Sequence, residues 1–155
     1  MQTVEEVNVR PVRHDDIEQV AVLEQSSFTD PYPTYFLEEL ARDNPETFLV
    51  LTLNNKIVGY GVIDHWEDHE HLISIAVDSN NRKRGFGERI LVELEKRSSK
   101  TRPLRLEVRQ SNVAAIQLYS KRGFTKTGLA EGYYADGEDA ITMEKAPVKE
   151  VLAET

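Results

Sequence analysis

Two stretches of the sequence carry side chains whose kind and spacing could do chemistry. The first is Arg82-Lys83-Arg84-Gly85-Phe86-Gly87. Glycine lets a backbone turn tightly and come close to a ligand. N–H groups at a helix start, with the helix dipole behind them, bind anions, and three cations in a row add to the attraction. The chemistry this suits is the capture of a small polyphosphate, although a plain helix-start turn would use the same residues. It is not a P-loop, because no Gly-Lys-Ser/Thr follows. It is not a dinucleotide fingerprint, because the third glycine position fails. The second stretch is His65-Trp-Glu-Asp-His69-Glu-His71. Alternation puts His69 and His71 on one strand face. The set could ligate a metal, but a solvated acidic hairpin accounts for it better, and no metal is expected. His71, with an ordinary imidazole pKa of about 6.5, suits proton uptake at neutral pH.

These residues need elements to position them. Val7 to Val12 can form a first strand, and Ile17, Val20, Ala21 and Glu24 follow helical spacing after Asp15 and Asp16. Asp30-Pro-Tyr-Pro33 is a loop, since each proline biases its predecessor away from helix. Tyr35, Phe36, Leu37 and Leu40 suggest a second short helix. Phe48 to Leu53 and Ile57 to Ile63 flank Asn54-Asn55-Lys56 and form a hairpin, and His71 to Val77 is a further strand. Phe86, Ile90, Leu91 and Leu94 give one apolar helical stripe. Leu104, Leu106 and Val108 alternate with Arg105, Glu107 and Arg109, which marks a half-buried strand. Asn112 can cap a helix holding Ile116 and Tyr119, and Gly123 suits its end. Phe124 to Leu129 and Ala140 to Glu144 pair around a Tyr133 to Asp139 loop. The order is β-α-α-β-β-β-α-β-α-β-β, an α/β (α+β) arrangement with a mixed sheet. Residues 1–147 are expected to form a single domain and 148–155 a loose tail.

The chain has 155 residues, 39% of them hydrophobic and 30% charged, which is ordinary for one water-soluble globular domain. It has no cysteine. That excludes a disulfide scaffold, thiolate metal ligation and a cysteine nucleophile, and fits a reducing cytoplasm. The acidic start suggests no signal peptide, and Phe48 to Leu53 is too short to span a bilayer. Residues 1–78 carry 4 Lys/Arg against 16 Asp/Glu, residues 79–128 carry 13 against 4, and residues 129–155 carry 2 against 7. A basic third between acidic flanks suits one anionic and one cationic ligand, and equally suits a set of solvated faces. The net charge of −8 argues against nucleic acid as the main ligand.

Ile75-Ala-Val77 followed by Arg82-x-x-Gly85-x-Gly87 resembles the acetyl-CoA signature of the GNAT superfamily of N-acetyltransferases, Gln/Arg-x-x-Gly-x-Gly/Ala. Leu106-Glu-Val-Arg109, Ser111-Asn112, Ala115-Ile116, Leu118-Tyr119 and Gly123-Phe124 resemble its second half. Tyr133-Tyr-Ala-Asp-Gly-Glu-Asp-Ala140 is similar to the tail of archaeal N-terminal acetyltransferases, of the main eukaryotic co-translational catalytic subunit, and of the bacterial ribosomal-protein alanine N-acetyltransferases. The resemblance covers about residues 7–145. It implies the GNAT acyl-CoA N-acyltransferase fold, acetyl-CoA as cosubstrate with no metal required, and transfer of acetyl to the free α-amino group of a protein or peptide N-terminus. Nascent chains and ribosomal proteins are the implied partners, and the cytoplasm the implied place.

The same resemblance assigns roles by position. Ile75, Ala76 and Val77 would offer backbone groups to the pantetheine arm. Arg82, Lys83, Arg84, Gly85, Phe86, Gly87 and Glu88 would cradle the pyrophosphate. Asn112 would bond the cofactor near its thioester end while also capping its helix. An α-amine of pKa about 7.7–8.0 must lose a proton before it attacks. Glu107 is the first candidate base, acting through water, with an ion pair to Arg105 and Arg109 as the structural alternative. His71 is the second. Tyr119 would be the general acid beside the cofactor sulfur, or simply a core aromatic. Phe28, Asp30 and Tyr32, with Tyr133 and Tyr134, match the two walls of the peptide groove. Asp30 stands where several relatives carry the longer Glu. A lysine or small-amine acceptor and a non-catalytic CoA-binding module are the competing readings.

Overall fold

Every expected element forms. The computed structural model describes residues 4–147, so the expected tail at 148–155 lies outside the described residues. The elements run β1 (Val7–Pro11), α1 (Ile17–Ser27), α2 (Thr34–Asp43), β2 (Phe48–Leu53), β3 (Lys56–His65), β4 (Glu70–Val77), α3 (Phe86–Arg97), β5 (Leu104–Arg109), α4 (Val113–Lys121), β6 (Thr125–Ala130) and β7 (Ala140–Lys145). Short 3-10 turns at His14–Asp16 and Ser79–Asn81 precede α1 and α3. The strands make a mixed sheet. The β1/β2 and β2/β3 pairs are antiparallel, β4/β5 is parallel, and β5/β7 and β6/β7 are antiparallel.

The described residues divide into two compact units, 4–64 with 72–98, and 65–71 with 99–147. In the first, β2 is apolar and buried along nearly its whole length, as a strand covered on both faces must be. Asn54 and Asn55 both take left-handed φ, 51° and 68°, which makes the tight β2–β3 turn. Val20, Leu23, Leu37, Leu40, Phe48 and Tyr60 fill one part of the core. The α3 stripe of Phe86, Ile90, Leu91 and Leu94 is buried as its spacing predicts. It comes so close to β3 that a Cβ on Gly61 would lie 2.7 Å from Ile90 Cγ2 and 2.9 Å from Leu94 Cδ1. A bidentate clip from Arg10 to Asp16, 2.7 and 3.1 Å, ties β1 to the turn before α1.

In the second unit β5 alternates as expected. Leu104, Leu106 and Val108 are buried, and Arg105, Glu107 and Arg109 lie half-buried on the other face. Glu70 and His71, the first two residues of β4, pair with Leu104 and Arg105. The Asn112 side chain accepts from the Ala115 N–H at 3.1 Å, and Gly123 takes φ 95° just past α4. Both terminal signals therefore act as their chemistry suggests.

Candidate active site

In the first unit, β4 ends in the stretch Ile75–Val77, and the chain turns at Asp78, whose side chain accepts from Asn80 N–H and Asn81 Nδ2, both at 3.4 Å. Lys83 (φ 63°) and Gly85 (φ 78°) are left-handed, so the bend at Arg82–Gly85 is sharp. Nothing lies within 4 Å of where a Gly85 Cβ would stand, which leaves open space beside the helix start. The first helical bond of α3 runs from Arg89 N–H to the Gly85 carbonyl at 3.0 Å, so the amides of Phe86, Gly87 and Glu88 precede the helix ladder. That backbone and space suit a phosphate group. The three cations differ in their commitments. Arg82 Nε donates to the Val77 carbonyl at 3.1 Å, and Arg84 pairs with Glu5 and lies 4.8 Å over the Phe86 ring. The Phe86 side chain is buried.

The same unit holds the loop between α1 and α2. Phe28 is partly buried against the core, while Asp30 is exposed. The Tyr32 ring lies 5.0 Å from Phe36, and the Tyr32 backbone N–H donates to Glu24 Oε2 at 3.0 Å. Glu24 is almost fully buried, and its other oxygen accepts from the Tyr60 and Ser74 hydroxyls. Burial, followed by the charge of Glu24, pushes the Tyr60 phenol well up. The α1 spacing includes Glu24, but nothing in the sequence marks it as the carboxylate that fastens this loop.

In the second unit β4 and β5 bring two of the candidate residues together. His71 Nε2 and Glu107 Oε1 are 2.9 Å apart, and the Tyr133 hydroxyl donates to the same Glu107 oxygen at 3.2 Å. Burial pushes the Glu107 carboxyl up, but the His71 hydrogen bond and charge, with Tyr133, outweigh it and hold the group below the usual carboxylate range. The two flanking arginines, offered as the structural alternative for Glu107, bond acids elsewhere. Arg105 goes to Glu144 at 2.6 Å, and Arg109 goes to Asp136 and Glu138, each at 2.9 Å. Arg109 also lies 4.0 Å over the Tyr134 ring. Glu144 sits across the β5/β7 pair, and Asp136 and Glu138 lie in the loop before β7.

The solvated hairpin is corrected. Trp66, Glu67 and Asp68 at its tip are exposed, but His69, Glu70 and His71 are buried. Trp66 stacks on His71 at 4.2 Å, and His69 Nε2 lies 3.0 Å from His71 Nδ1. Glu70 is fastened by Ser99 N–H at 2.9 Å, His65 at 2.8 Å and Arg102 at 3.1 Å. Among the described residues no group of three His, Asp or Glu side chains is arranged to hold a metal ion. Tyr119 is buried with its ring 5.6 Å from Phe124, and burial alone raises its hydroxyl to about 12.

The His71–Glu107 couple in one unit and the left-handed glycine bend before α3 in the other can be set beside known proteins. Residues 17–124 match the acetyltransferase (GNAT) family. The chain is 32% identical to the N-alpha-acetyltransferase of Saccharolobus solfataricus, over 88% of this chain and 91% of that one. The fold matches Ard1 from Thermoplasma volcanium with a TM-score of 0.86 and 30% identity, covering 92% of this chain and 99% of that one. It matches the ribosomal-protein-S18-alanine N-acetyltransferase from Escherichia coli with a TM-score of 0.79 and 30% identity, covering 97% and 99%. The chain belongs to the GNAT family and is an acetyltransferase. Its relatives within that family include acetyltransferases of protein N-termini.

Proposed function

We propose that the protein transfers the acetyl group of acetyl-CoA to the free α-amino group of a protein or peptide N-terminus, with nascent or ribosomal proteins as the substrate class and the cytoplasm as the setting. The observation that carries this reading is the His71–Glu107 couple at 2.9 Å, in a chain related along almost its whole length to an N-alpha-acetyltransferase. The bend from Arg82 to Glu88 cradles the pyrophosphate with backbone N–H groups. Ile75, Ala76 and Val77 offer strand backbone to the pantetheine arm, and Asn112 bonds the cofactor near its reacting end. The incoming amine, of ordinary pKa about 7.7–8.0, is mostly protonated at neutral pH. Glu107, with His71 behind it, takes that proton through water. Being charged and partnered, the carboxylate accepts the proton briefly and passes it on. The amine then adds to the thioester carbonyl, the C–S bond breaks, and the thiolate takes a proton from Tyr119, which regains one from the second proton that the nitrogen sheds as the amide forms. At a pKa of about 12 that hydroxyl is fully protonated at the working pH and so can donate. Phe28, Asp30, Tyr32, Tyr133 and Tyr134 receive the peptide.

A panel of peptides varied at positions one and two, incubated with acetyl-CoA and read by mass spectrometry, tests this. Acetylated peptide is expected for a subset of first residues. No product with any member overturns the reading.

A further inference from the structure

One residue of α1 holds both ends of the loop that leads to α2. The Glu24 backbone carbonyl accepts from the Phe28 N–H at 3.2 Å, and its side-chain Oε2 accepts from the Tyr32 N–H at 3.0 Å. Pro31 and Pro33 have no N–H, so Tyr32 supplies the one backbone donor of the Pro31-Tyr-Pro33 tip. The other oxygen, Oε1, accepts from the Tyr60 hydroxyl on β3 and from the Ser74 hydroxyl on β4, the latter at 3.3 Å. Those two hydroxyls lie 3.1 Å apart. Ser74 immediately precedes Ile75–Val77 on the strand. Resting on the proposed function, in which Phe28, Asp30 and Tyr32 receive the peptide, we propose that Glu24 is a positioning residue for the acceptor. It ties the loop to β3 and β4 and so sets the KM for the peptide.

The core alone does not call for this side chain. Glu24 is 1% exposed, in a helix whose other buried residues are Ile17, Val20, Ala21 and Leu23. A leucine there would be buried with no need of partners, whereas a carboxylate out of water is costly unless hydrogen bonds replace its hydration. Three donors do so, and the two carboxylate oxygens have lone pairs for all of them. Two donors come from the sheet and the third from the loop, so the group joins a rigid element to a segment that would otherwise be held only at its helix ends. A loop free to move must give up that freedom when a ligand binds, which weakens binding. Tied to Glu24, the tip is ordered beforehand, and the Tyr32 ring, 5.0 Å from Phe36, adds to the order. No proton or bond passes through Glu24. Its effect falls on the binding of the acceptor, not on the chemical step.

Two measurements on the full chain test the assignment. In amide exchange followed by 1H–15N spectra, the Tyr32 N–H is expected to exchange about tenfold or more slowly than in a free peptide. Glu24→Leu is expected to remove that protection while the β2 and β3 amides keep theirs. A Tyr32 amide that exchanges at the free-peptide rate in the wild-type protein overturns the proposal without reference to activity. In kinetics, Glu24→Leu is expected to raise the KM for an accepted peptide roughly tenfold, with the KM for acetyl-CoA and the kcat at saturating peptide unchanged. A folding defect would instead lower kcat at the same peptide KM. Glu24→Gln keeps an oxygen for the Tyr32 N–H and turns its NH2 to the two hydroxyls, and is expected to restore most of the wild-type KM. Should Glu24→Leu fail to fold, Tyr60→Phe removes one donor and keeps the ring and the carboxylate. It is expected to raise the peptide KM severalfold, and a wild-type KM there overturns the proposal. If the wild-type protein acetylates α-amines and Glu24→Leu matches its peptide KM, Glu24 serves only the fold and the α-amine reading stands. If the wild-type protein acetylates no α-amine, that reading fails and the role of Glu24 toward a peptide fails with it.

Discussion

At the scale of single residues, the account rests on a carboxylate kept charged in a half-buried place. Glu107 is pulled below the ordinary range by His71 and Tyr133 despite the opposing effect of burial. Removing its charge while keeping its shape should therefore remove the proton acceptor and little else. Glu107→Gln is expected to lower kcat about a hundredfold while acetyl-CoA affinity in calorimetry stays as in the parent; an undiminished rate would dismiss Glu107 as the base. Glu107 and His71 were legible because an acid between two arginines on an alternating strand, and a histidine in an apolar one, are visible as residue types. Their partners were not. The reach of Arg105 to Glu144 and of Arg109 to Asp136 depends on the β5/β7 register and the loop before β7, which fixes distances that spacing along the chain does not contain. Glu24 was opaque for the same reason. A glutamate in a helical pattern looks solvated until β3 and β4 bring Tyr60 and Ser74 to it.

At the scale of elements, α3 is set by two glycine relations that act differently. Gly61 is needed for close approach, since any Cβ would press into Ile90 and Leu94. Gly61→Ala is expected to cost about 1–3 kcal/mol of stability through overpacking, read as a lower denaturant midpoint; a parent-like midpoint would mean that α3 can shift away freely. Gly85 is needed for its left-handed φ and for the open space beside it. Gly85→Glu should leave the protein folded, at a backbone cost of about 1–2 kcal/mol, and should abolish acetyl-CoA binding by bulk and charge. Retained affinity would move the phosphate site elsewhere. The element order was legible throughout, because period-2 and period-3.6 patterns were clean and the Asn112 and Gly123 signals were correct. The ends were less so. β3 runs on to His65 and β4 starts at Glu70, because Trp66 N–H bonds the His69 carbonyl at 2.9 Å and Glu70 N–H bonds the Pro103 carbonyl at 2.8 Å. Those bonds extend strands through residues whose types favour a loop.

At the scale of the whole molecule, some of the charges in the blocks along the sequence meet as pairs. Arg84 meets Glu5, Arg97 meets Glu46, Arg102 meets Glu70, and Arg105 meets Glu144. Part of the basic third is thus answered by its acidic flanks. Several carboxylates gain from this. Burial opposes charge on Asp16, Glu70 and Glu107, but hydrogen bonds from Arg10 and the Arg13 amide, from the Ser99 amide, His65 and Arg102, and from His71 and Tyr133 hold all three below their ordinary values of 3.8 for Asp and 4.5 for Glu. Groups with lowered folded pKa stabilise fully above the unfolded value and lose that contribution as pH falls through the folded one. Tm is therefore expected to be flat with respect to these groups near neutrality and to drop steadily below about pH 4.5, and a Tm unchanged down to pH 3 would contradict these assignments. The most direct measurement of the central claim uses one peptide with both a free N-terminus and an internal lysine, incubated with acetyl-CoA, its acetyl group located by fragment masses. The account predicts acetyl on the α-nitrogen and none on the lysine. Acetyl on the lysine, persisting when the N-terminus is blocked, would contradict it.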